Sequence, residues 1–267
     1  MKSIVKRSLV SLSFILSNFF KKNDIRIIFY HDVVLKNGST YSKINVSKYR
    51  QQMMYILENG FETLTFSDLN NIDKLTSSNN MKILITFDDG FRSNYELVFP
   101  IMKELNLKFN IFLEVGAINK KGNYLNWKMI NEMIESGLVG IGAHTYTHKD
   151  ARFIDRNNFN KEILEANEEI LRNTGVQVED FAFPFGYYNK NIIKLLDELK
   201  VYKRLYTIDC RPTLKTNNTI IYGRVGISDD DSDNDFISKL AGRYDIYYFI
   251  TWYFRRNIIR KEILRKS

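Results

Sequence analysis

Cysteine and histidine are scarce in this sequence, which has one cysteine and three histidines among 267 residues. The single Cys210 cannot form a disulfide within the chain, and its isolation is compatible with a reducing compartment. The chain has no internal repeat, and no stretch rich in glycine, serine or proline marks a linker between domains. With 44% hydrophobic and 26% charged residues, it is predicted to fold as one globular α/β domain with a sizeable core.

The positive charge is concentrated at the two ends of the chain. The net charge is +8, and residues 1–26 carry six Lys or Arg against one Asp. Residues 243–267 carry seven Lys or Arg against one Asp and one Glu, so the middle of the chain is slightly acidic. A nucleic-acid-binding protein carries positive charge across its folded surface, so no nucleic-acid partner is expected here.

Both ends are also apolar. The uncharged stretch 8–20 has 13 residues, fewer than the roughly 20 needed to span a bilayer, and no small-residue cleavage site follows it. The aromatic run 247–254 leads directly into two arginines. These patterns favour peripheral contact with an anionic membrane, and the alternative is a pair of ordinary helices that pack on the domain. The predicted division is an N-terminal amphipathic basic segment (1–24), a central domain (25–242) and a C-terminal aromatic and basic segment (243–267).

Apolar runs that predict strands alternate with amphipathic stretches that predict helices. The predicted strands are 26–30, 82–87, 109–115, 139–143, 180–183, 205–208 and 220–225. The predicted helices are 47–60, 93–105, 126–136, 158–174 and 189–200, and Pro100 predicts a kink or break in the second. This alternation predicts a parallel sheet that closes into a barrel.

Three of the predicted strands end in residues that bind metals or transfer protons. His31 follows the first strand, Asp88 and Asp89 follow the second, and His144 follows the strand 139–143. His148 comes four residues later, a spacing that places two imidazoles on one face of a helical turn. Adjacent carboxylates at a buried strand end repel each other unless a cation binds, although an Asp-Gly turn is the simpler alternative. The pattern predicts a metal-dependent hydrolase with its site at the C-terminal strand ends.

Three motifs resemble a known family. They are Thr-Phe-Asp-Asp-Gly (86–90), His-Thr-Tyr-Thr-His (144–148) and Phe-Pro-Phe-Gly (183–186). They resemble, in the same order, the first three motifs of the polysaccharide deacetylases, carbohydrate esterase family 4 with the NodB-homology fold. The resemblance spans roughly residues 31–226. It implies an α/β fold with a distorted, incomplete (β/α) barrel and the metal-dependent removal of an N-acyl group, usually acetyl, from an amino sugar.

The resemblance also implies roles for individual residues. Asp89, His144 and His148 would ligate a divalent metal ion, expected to be Zn²⁺. Asp88 would be the general base that takes a proton from the attacking water. The oxyanion that forms would be held by the metal and by a backbone N–H around Phe185. The neighbours that place this N–H are Pro184 and Gly186.

Two departures from the family's commonest pattern affect the remaining assignments. No histidine follows His148, so the general acid is assigned to His31, as in a branch typified by the poly-N-acetylglucosamine deacetylases; a hydrogen-bonded structural histidine is the alternative. Ala182 occupies the place of the arginine that steadies the base, and Arg224 is its expected substitute; a surface arginine is the alternative. Trp127 would line the sugar site or anchor its own helix.

The sequence therefore predicts an N-deacetylase acting on an amino sugar in a lipid-linked saccharide or surface-polysaccharide precursor. Its expected location is the cytoplasmic face of a membrane, in peripheral contact. One alternative is a deacetylase of finished polysaccharide that is secreted or held at the cell surface by an uncleaved N-terminal anchor. Another amide, such as a formamide, is a further possible substrate. A non-catalytic glycan-binding protein on the same fold is the alternative from another class, and the presence of Asp88 argues against it.

Overall fold

The computed structural model describes residues 25–36, 42–71, 80–120, 122–210, 213–245 and 247. The strands are β1 (Arg26–Tyr30), β2 (Asp32–Val34), β3 (Lys43–Asn45), β4 (Glu62–Thr63), β5 (Lys82–Phe87), β6 (Phe109–Leu113), β7 (Val139–Ala143), β8 (Asp180–Ala182), β9 (Arg204–Thr207), β10 (Leu214–Lys215), β11 (Ile220–Gly223) and β12 (Val225–Gly226). The α-helices are α1 (Val46–Glu58), α2 (Phe99–Glu104), α3 (Trp127–Glu135), α4 (Arg156–Phe159), α5 (Ala166–Thr174), α6 (Lys190–Glu198) and α7 (Asp233–Leu240).

One curled sheet organises the described residues. Its strand order is β10-β11-β9-β8-β7-β6-β5-β1-β12, and β4 also pairs with β5. All of these pairings are parallel except that of β10 with β11. Parallel strands place all their C-terminal ends on one side, so residues that follow different strands meet at one rim. The predicted α/β barrel is confirmed.

The barrel is completed by one short segment of chain, residues 220–226. Its first half, β11, pairs with β9, and its second half, β12, pairs with β1 on the opposite edge of the sheet. The change of partner occurs at Arg224, which interrupts the single strand predicted over 220–225. This change of partner links the two edges of the curled sheet and places Arg224 in the interior, where the side chain is buried.

The sheet is buried on both faces. An inner cluster built around Leu84, Phe112 and Tyr206 fills the barrel, while a larger cluster lies outside it, against the helices. At the N-terminal ends of β8 and β9, which form the lower end of the barrel, Arg204 binds Asp180 through two hydrogen bonds of 2.7 and 2.8 Å. Both side chains are buried. The lower end of the barrel is therefore packed, and access to the interior is expected at the rim.

Two predicted helices contain a wider turn. The segment Asn94–Val98, directly before α2, is a π-helix in which the N–H of Phe99 bonds to the carbonyl of Asn94. Pro100, which has no N–H, lies in the first turn of α2, so the predicted break occurs where expected. The predicted helix 158–174 likewise contains a π-helical segment, Asn160–Glu165, between α4 and α5.

The terminal segments fall mostly outside the described residues. The predicted membrane contact of residues 1–24 lies wholly outside them, as does all of residues 243–267 except 243–245 and 247. Within the described ranges, no helix combines the length and apolar character needed to cross a bilayer. Arg26 and Asp245, near the two ends of the described chain, form a two-point ion pair of 2.7 and 2.9 Å.

Candidate active site

Asp88 is held by a buried arginine from the segment that completes the barrel. Arg224 donates from Nη1 to Asp88 Oδ1 at 2.6 Å and from Nη2 to Oδ2 at 2.8 Å. The same guanidinium donates to Thr86 Oγ1 and to the carbonyl of Thr207, and its carbon lies 4.8 Å from the ring centre of Phe29. A two-point pair of this kind fixes the orientation of the carboxylate. The structure thus places Arg224 beside Asp88 rather than on the surface.

The surroundings of Asp88 keep it ionised. Burial acts to raise the pKa of Asp88, because it disfavours the charged carboxylate. The charges of Arg224 and His144 and the hydrogen bonds from Arg224 outweigh burial, so the pKa of Asp88 lies below its ordinary value. Asp88 is therefore a fixed, negatively charged proton acceptor at neutral pH.

Three potential metal ligands converge next to Asp88. Oδ1 of Asp89 lies 3.4 Å from Nε2 of His144 and 3.2 Å from Nε2 of His148. The ligand atoms of the three residues lie within 4.8 Å of one another. The Asp89 oxygen is buried and has no hydrogen-bond partner in the described part of the chain. A buried carboxylate oxygen in this position is stabilised by a bound cation.

The orientation of His144 fits a metal ligand. Its Nδ1 lies 2.8 Å from the carbonyl oxygen of Ala182. Because a carbonyl only accepts hydrogen bonds, the imidazole carries a proton on Nδ1. Nε2, which faces Asp89, is therefore the nitrogen that would bind a metal ion held between the two residues. One carboxylate and two imidazoles form a donor set suited to Zn²⁺, so these residues fit a divalent metal ion.

The placement of His144 and His148 on one helical turn, expected from their spacing, is wrong. After β7 the chain forms a loop in which Thr145 (φ 64°) and His148 (φ 57°) are left-handed. Asp89 is also left-handed (φ 74°). Such conformations cost about 1–3 kcal/mol per non-glycine residue and persist where the surroundings dictate them. Backbone strain and loop packing, rather than helix periodicity, therefore bring the two imidazoles together.

Glu162 fixes this histidine loop, and the sequence pattern did not single it out. Its carboxylate accepts from Thr147 N at 3.0 Å and from Thr147 Oγ1 at 2.8 Å. Its carbonyl accepts from Tyr146 N at 3.1 Å. Glu162 is 4% exposed and lies in the second π-helical segment. It contacts the residues that precede His148 and is therefore a positioning residue for that ligand.

Replacing Glu162 with glutamine is expected to lower the affinity for Zn²⁺ by about tenfold, an effect typical of residues that orient metal ligands. The amide retains one acceptor but directs an NH₂ group at a donor of Thr147. Competition against a chromophoric chelator measures the affinity. Glu165→Gln, on an exposed position of the same segment, is the matched control and should leave it unchanged. Equal affinities in Glu162→Gln and wild type would show that other contacts hold the loop.

The turn Pro184–Gly186 contacts His148 through the ring of Phe185. Phe185 is left-handed (φ 59°), and its ring centre lies 4.5 Å from that of His148, edge to face. Gly186 has φ 66°, and a Cβ there would lie 2.2 Å from Cγ1 of Ile208. This position therefore requires glycine. Within the turn, Pro184 has no N–H, and the N–H of Gly186 donates to the carbonyl of Phe183 at 2.8 Å.

His31 lies at the same rim, directly after β1. Its ring packs edge to face against Phe29, with the ring centres 5.6 Å apart. Burial lowers the pKa of His31, and this effect exceeds the opposing influence of Asp88 and Asp89. A histidine whose pKa is lowered gives up its proton more readily than an ordinary histidine does.

Trp127 contacts its own helix and the outer core cluster. It is the first residue of α3, whose N-terminal cap is the side chain of Asn126. The indole is partly buried and packs against the large outer core cluster. These contacts support the interpretation that Trp127 anchors its helix.

Comparison with known proteins finds similarity over the part of the chain that contains the three motifs. A family model described as polysaccharide deacetylase matches residues 76–203. YxkH of Bacillus subtilis, assigned to the polysaccharide deacetylases, is 25% identical over 181 residues; the match covers 67% of this chain and 62% of YxkH, less than two thirds of its length. The poly-β-1,6-N-acetyl-D-glucosamine N-deacetylase of Staphylococcus epidermidis is 22% identical over 202 residues, covering 66% of this chain and 70% of that protein.

Solved structures share the fold. BC0361, a polysaccharide deacetylase from Bacillus cereus, has a TM-score of 0.72 at 23% identity and covers 81% of this chain and 68% of its own. IcaB from Ammonifex degensii has a TM-score of 0.65 at 22% identity, with coverage of 82% and 96%. At these identities the similarity establishes that this chain and the solved structures share an architecture.

Proposed function

Since the chain belongs to the polysaccharide deacetylase family, whose members are hydrolases, we propose that it removes N-acetyl groups from amino sugars of a surface polysaccharide or its precursor, using a divalent metal. The single observation that carries this proposal is the pairing of two adjacent carboxylates with different surroundings. Asp88 is bound by Arg224, while Asp89 meets the two imidazoles of His144 and His148. Separated roles for two such groups are typical of hydrolytic sites.

The metal site would be formed by Asp89, His144 and His148. A divalent ion bound there supplies a lowered pKa for water and electrostatic stabilisation of a developing oxyanion. Because Asp89 Oδ1 and the two Nε2 atoms already converge, this part of the chain needs little rearrangement on binding an ion. Zn²⁺ is the proposed ion, on the basis of its preference for nitrogen and carboxylate ligands.

Asp88 is the proposed general base. Its carboxylate is ionised and held in one orientation by Arg224, so it takes the proton of the attacking water at a fixed position. Arg224 does not transfer a proton itself, since a guanidinium stays charged in proteins. It keeps Asp88 charged and prevents it from turning towards the ligands of the metal.

Two further steps, stabilisation of the oxyanion and protonation of the leaving nitrogen, are assigned to the turn at Phe185 and to His31. Attack on the amide carbon converts its oxygen into an oxyanion, and a backbone N–H around Phe185 donates to it. The nitrogen of the amino sugar leaves once it gains a proton. Protonated His31, at the same rim, is the proposed donor, and the proton that Asp88 takes from the attacking water replaces the one that His31 gives up. The products are acetate and a free amino group on the sugar.

A polysaccharide chain is the proposed substrate, and a sugar on a lipid carrier is the second candidate. Two relatives named poly-β-1,6-N-acetyl-D-glucosamine N-deacetylases, from Staphylococcus epidermidis and Staphylococcus aureus, support the first. The Arg26–Asp245 pair lies at the start of β1, and His31 lies about 17 Å farther along that strand.

The membrane contact and the cellular location remain part of the proposal. The charge and apolar character of residues 1–24 and 243–267 favour peripheral binding to an anionic surface. The cytoplasmic face suits the lipid-linked sugar, and an uncleaved N-terminal anchor at the cell surface suits the polysaccharide. Sedimentation with anionic and neutral vesicles, comparing the full chain with a variant lacking residues 1–20, tests the contact: unchanged binding to anionic vesicles would contradict it.

The test of the proposed function is acetate release from a substrate panel. Poly-N-acetylglucosamine, its short oligomers and a polyprenyl-diphosphate-linked N-acetylated sugar are incubated with the Zn²⁺-loaded protein. We expect acetate and an equal amount of free amine, with the polymer as the best substrate. Release from the lipid-linked sugar alone would establish the second candidate. Absence of release from every compound would contradict the deacetylase assignment.

A further inference from the structure

A strip of stacked side chains leads away from the metal ligands. We define the aromatic strip as Phe185, Tyr187, Arg152 and Phe153. The ring of Phe185 contacts His148, and its centre lies 6.3 Å from that of Tyr187. The guanidinium carbon of Arg152 lies 4.1 Å from the ring centre of Tyr187 and 5.6 Å from that of Phe153. The strip is thus continuous with the candidate active site.

The centre of the strip is rigidly held. Asp150 accepts hydrogen bonds from Arg152 Nε at 3.0 Å and from Nη2 at 2.5 Å, while Asn189 donates to the carbonyl of Arg152 at 2.9 Å. The stacking on Tyr187 fixes the plane of the guanidinium. Such a group needs no reordering to receive a ligand, which lowers the entropic cost of binding.

Both ends of the strip are exposed. Phe185 is 53% exposed and Phe153 is 57% exposed, large values for phenylalanine in a folded domain. Phe153 and Arg152 also line a cleft of about 590 Å³. The cleft also contains the amide side chain of Asn191, which can donate and accept hydrogen bonds, and that of Asn189, whose amide already bonds to Arg152 and caps α6. The strip therefore joins the candidate active site to an open cleft with mixed apolar and polar walls.

The chemistry of the cleft favours an uncharged saccharide over a lipid phosphate. Its charged side chains nearly balance, because it contains three basic and two acidic residues: Arg152, Arg156 and Lys194, with Asp155 and Glu198. An aromatic surface accepts the apolar face of a sugar ring, while neighbouring amides bind its hydroxyl groups. A polyanionic group would instead select a cleft with a clear excess of positive charge.

We propose that the aromatic strip and its cleft form a saccharide subsite, which binds units of the substrate chain beside the sugar that loses its acetyl group. The proposal deepens the deacetylase function and rests on it. It assigns to Phe153 and Arg152 the recognition of substrate length. Longer glycans therefore bind better than a single sugar, because only they reach from the metal ligands to the cleft.

The test compares kcat/KM for an N-acetylglucosamine pentamer with kcat/KM for the monosaccharide. Phe153→Ala is expected to lower this ratio about tenfold, the size of one lost stacking contact. Phe153→Tyr keeps the ring and should keep the ratio. Leu199→Ala, at a residue 54% exposed and outside the strip, is the control for general surface effects. A loss of folding in any variant lowers both constants together and leaves the ratio unchanged.

An unchanged ratio in Phe153→Ala would overturn the subsite while leaving the deacetylase function intact. If the wild-type protein releases no acetate, the proposed function fails, and the subsite is then judged by binding alone. Calorimetric titration of the pentamer into Asp88→Asn and into Asp88→Asn/Phe153→Ala provides that measurement. About tenfold weaker binding in the double variant supports the subsite; equal binding, or no binding to Asp88→Asn, overturns it.

Discussion

Asp88→Asn is expected to lower the rate constant for acetate release by about 10²–10⁴ while bound metal is retained. The amide has almost the same shape as the carboxylate and still accepts a hydrogen bond from Arg224, but it does not take a proton from water at neutral pH. Asp88 contacts Arg224 rather than the two imidazoles, so the metal site should keep its affinity. Acetate assays and elemental analysis of the same preparations measure both quantities.

The neighbouring substitution Asp89→Asn is the matched control. It changes the same chemical group one residue along the chain, at the oxygen that faces His144 and His148. It should lose Zn²⁺ affinity and activity together. If Asp88→Asn loses metal as Asp89→Asn does, or retains activity within tenfold of wild type, the division of roles between the two carboxylates is wrong.

Arg224→Met is expected to lower the free energy of unfolding by about 3–5 kcal/mol, the usual effect of leaving a buried charge without its partner. Methionine fills part of the space, but Asp88 then has no buried cation to offset its desolvation. Without the guanidinium, the pKa of Asp88 should rise, because burial, which acts to raise it, is no longer outweighed. Chemical denaturation, followed by circular dichroism, measures the loss.

Two further variants distinguish the loss of the buried ion pair from the loss of an arginine side chain as such. Arg50→Met removes an arginine whose pair with Glu104 is exposed, so its effect should be too small to resolve. In an Asp88→Asn background, Arg224→Met should destabilise less than it does in the wild type, since no buried carboxylate is left unpaired. Equal losses in the two backgrounds would show that packing, and not charge, makes Arg224 important.

The rim of the barrel could be predicted from the sequence because parallel strands place their ends together. Asp88, His31 and His144 each follow an apolar run, so the proximity of these residues needed only the strand assignments. The break at Pro100 was likewise predictable, because proline lacks the N–H that a regular helix uses. Local rules of this kind depend on single residues and their immediate neighbours.

The other features of the candidate active site depend on packing between segments that are distant in the sequence. Spacing alone suggested a helical turn for His144 and His148, whereas the structure has a strained loop held by Glu162. Glu162 carries no motif, and its burial follows from the way its π-helical segment packs. Arg224 could be suggested from the absence of an arginine at position 182. Its contact with Asp88 depends on the change of strand partner within residues 220–226, which local propensity does not encode.

The most direct test of the account is the metal dependence of acetate release by the unsubstituted 267-residue chain. Zn²⁺ is removed with a chelator, the chelator is dialysed away, and release from poly-N-acetylglucosamine is measured before and after one equivalent of Zn²⁺ per chain is restored. We predict a loss on the order of 100-fold or more and recovery on reconstitution, because a single divalent ion is proposed to stabilise the oxyanion. Undiminished release by the metal-free protein would contradict a metal-dependent deacetylase centred on Asp89, His144 and His148.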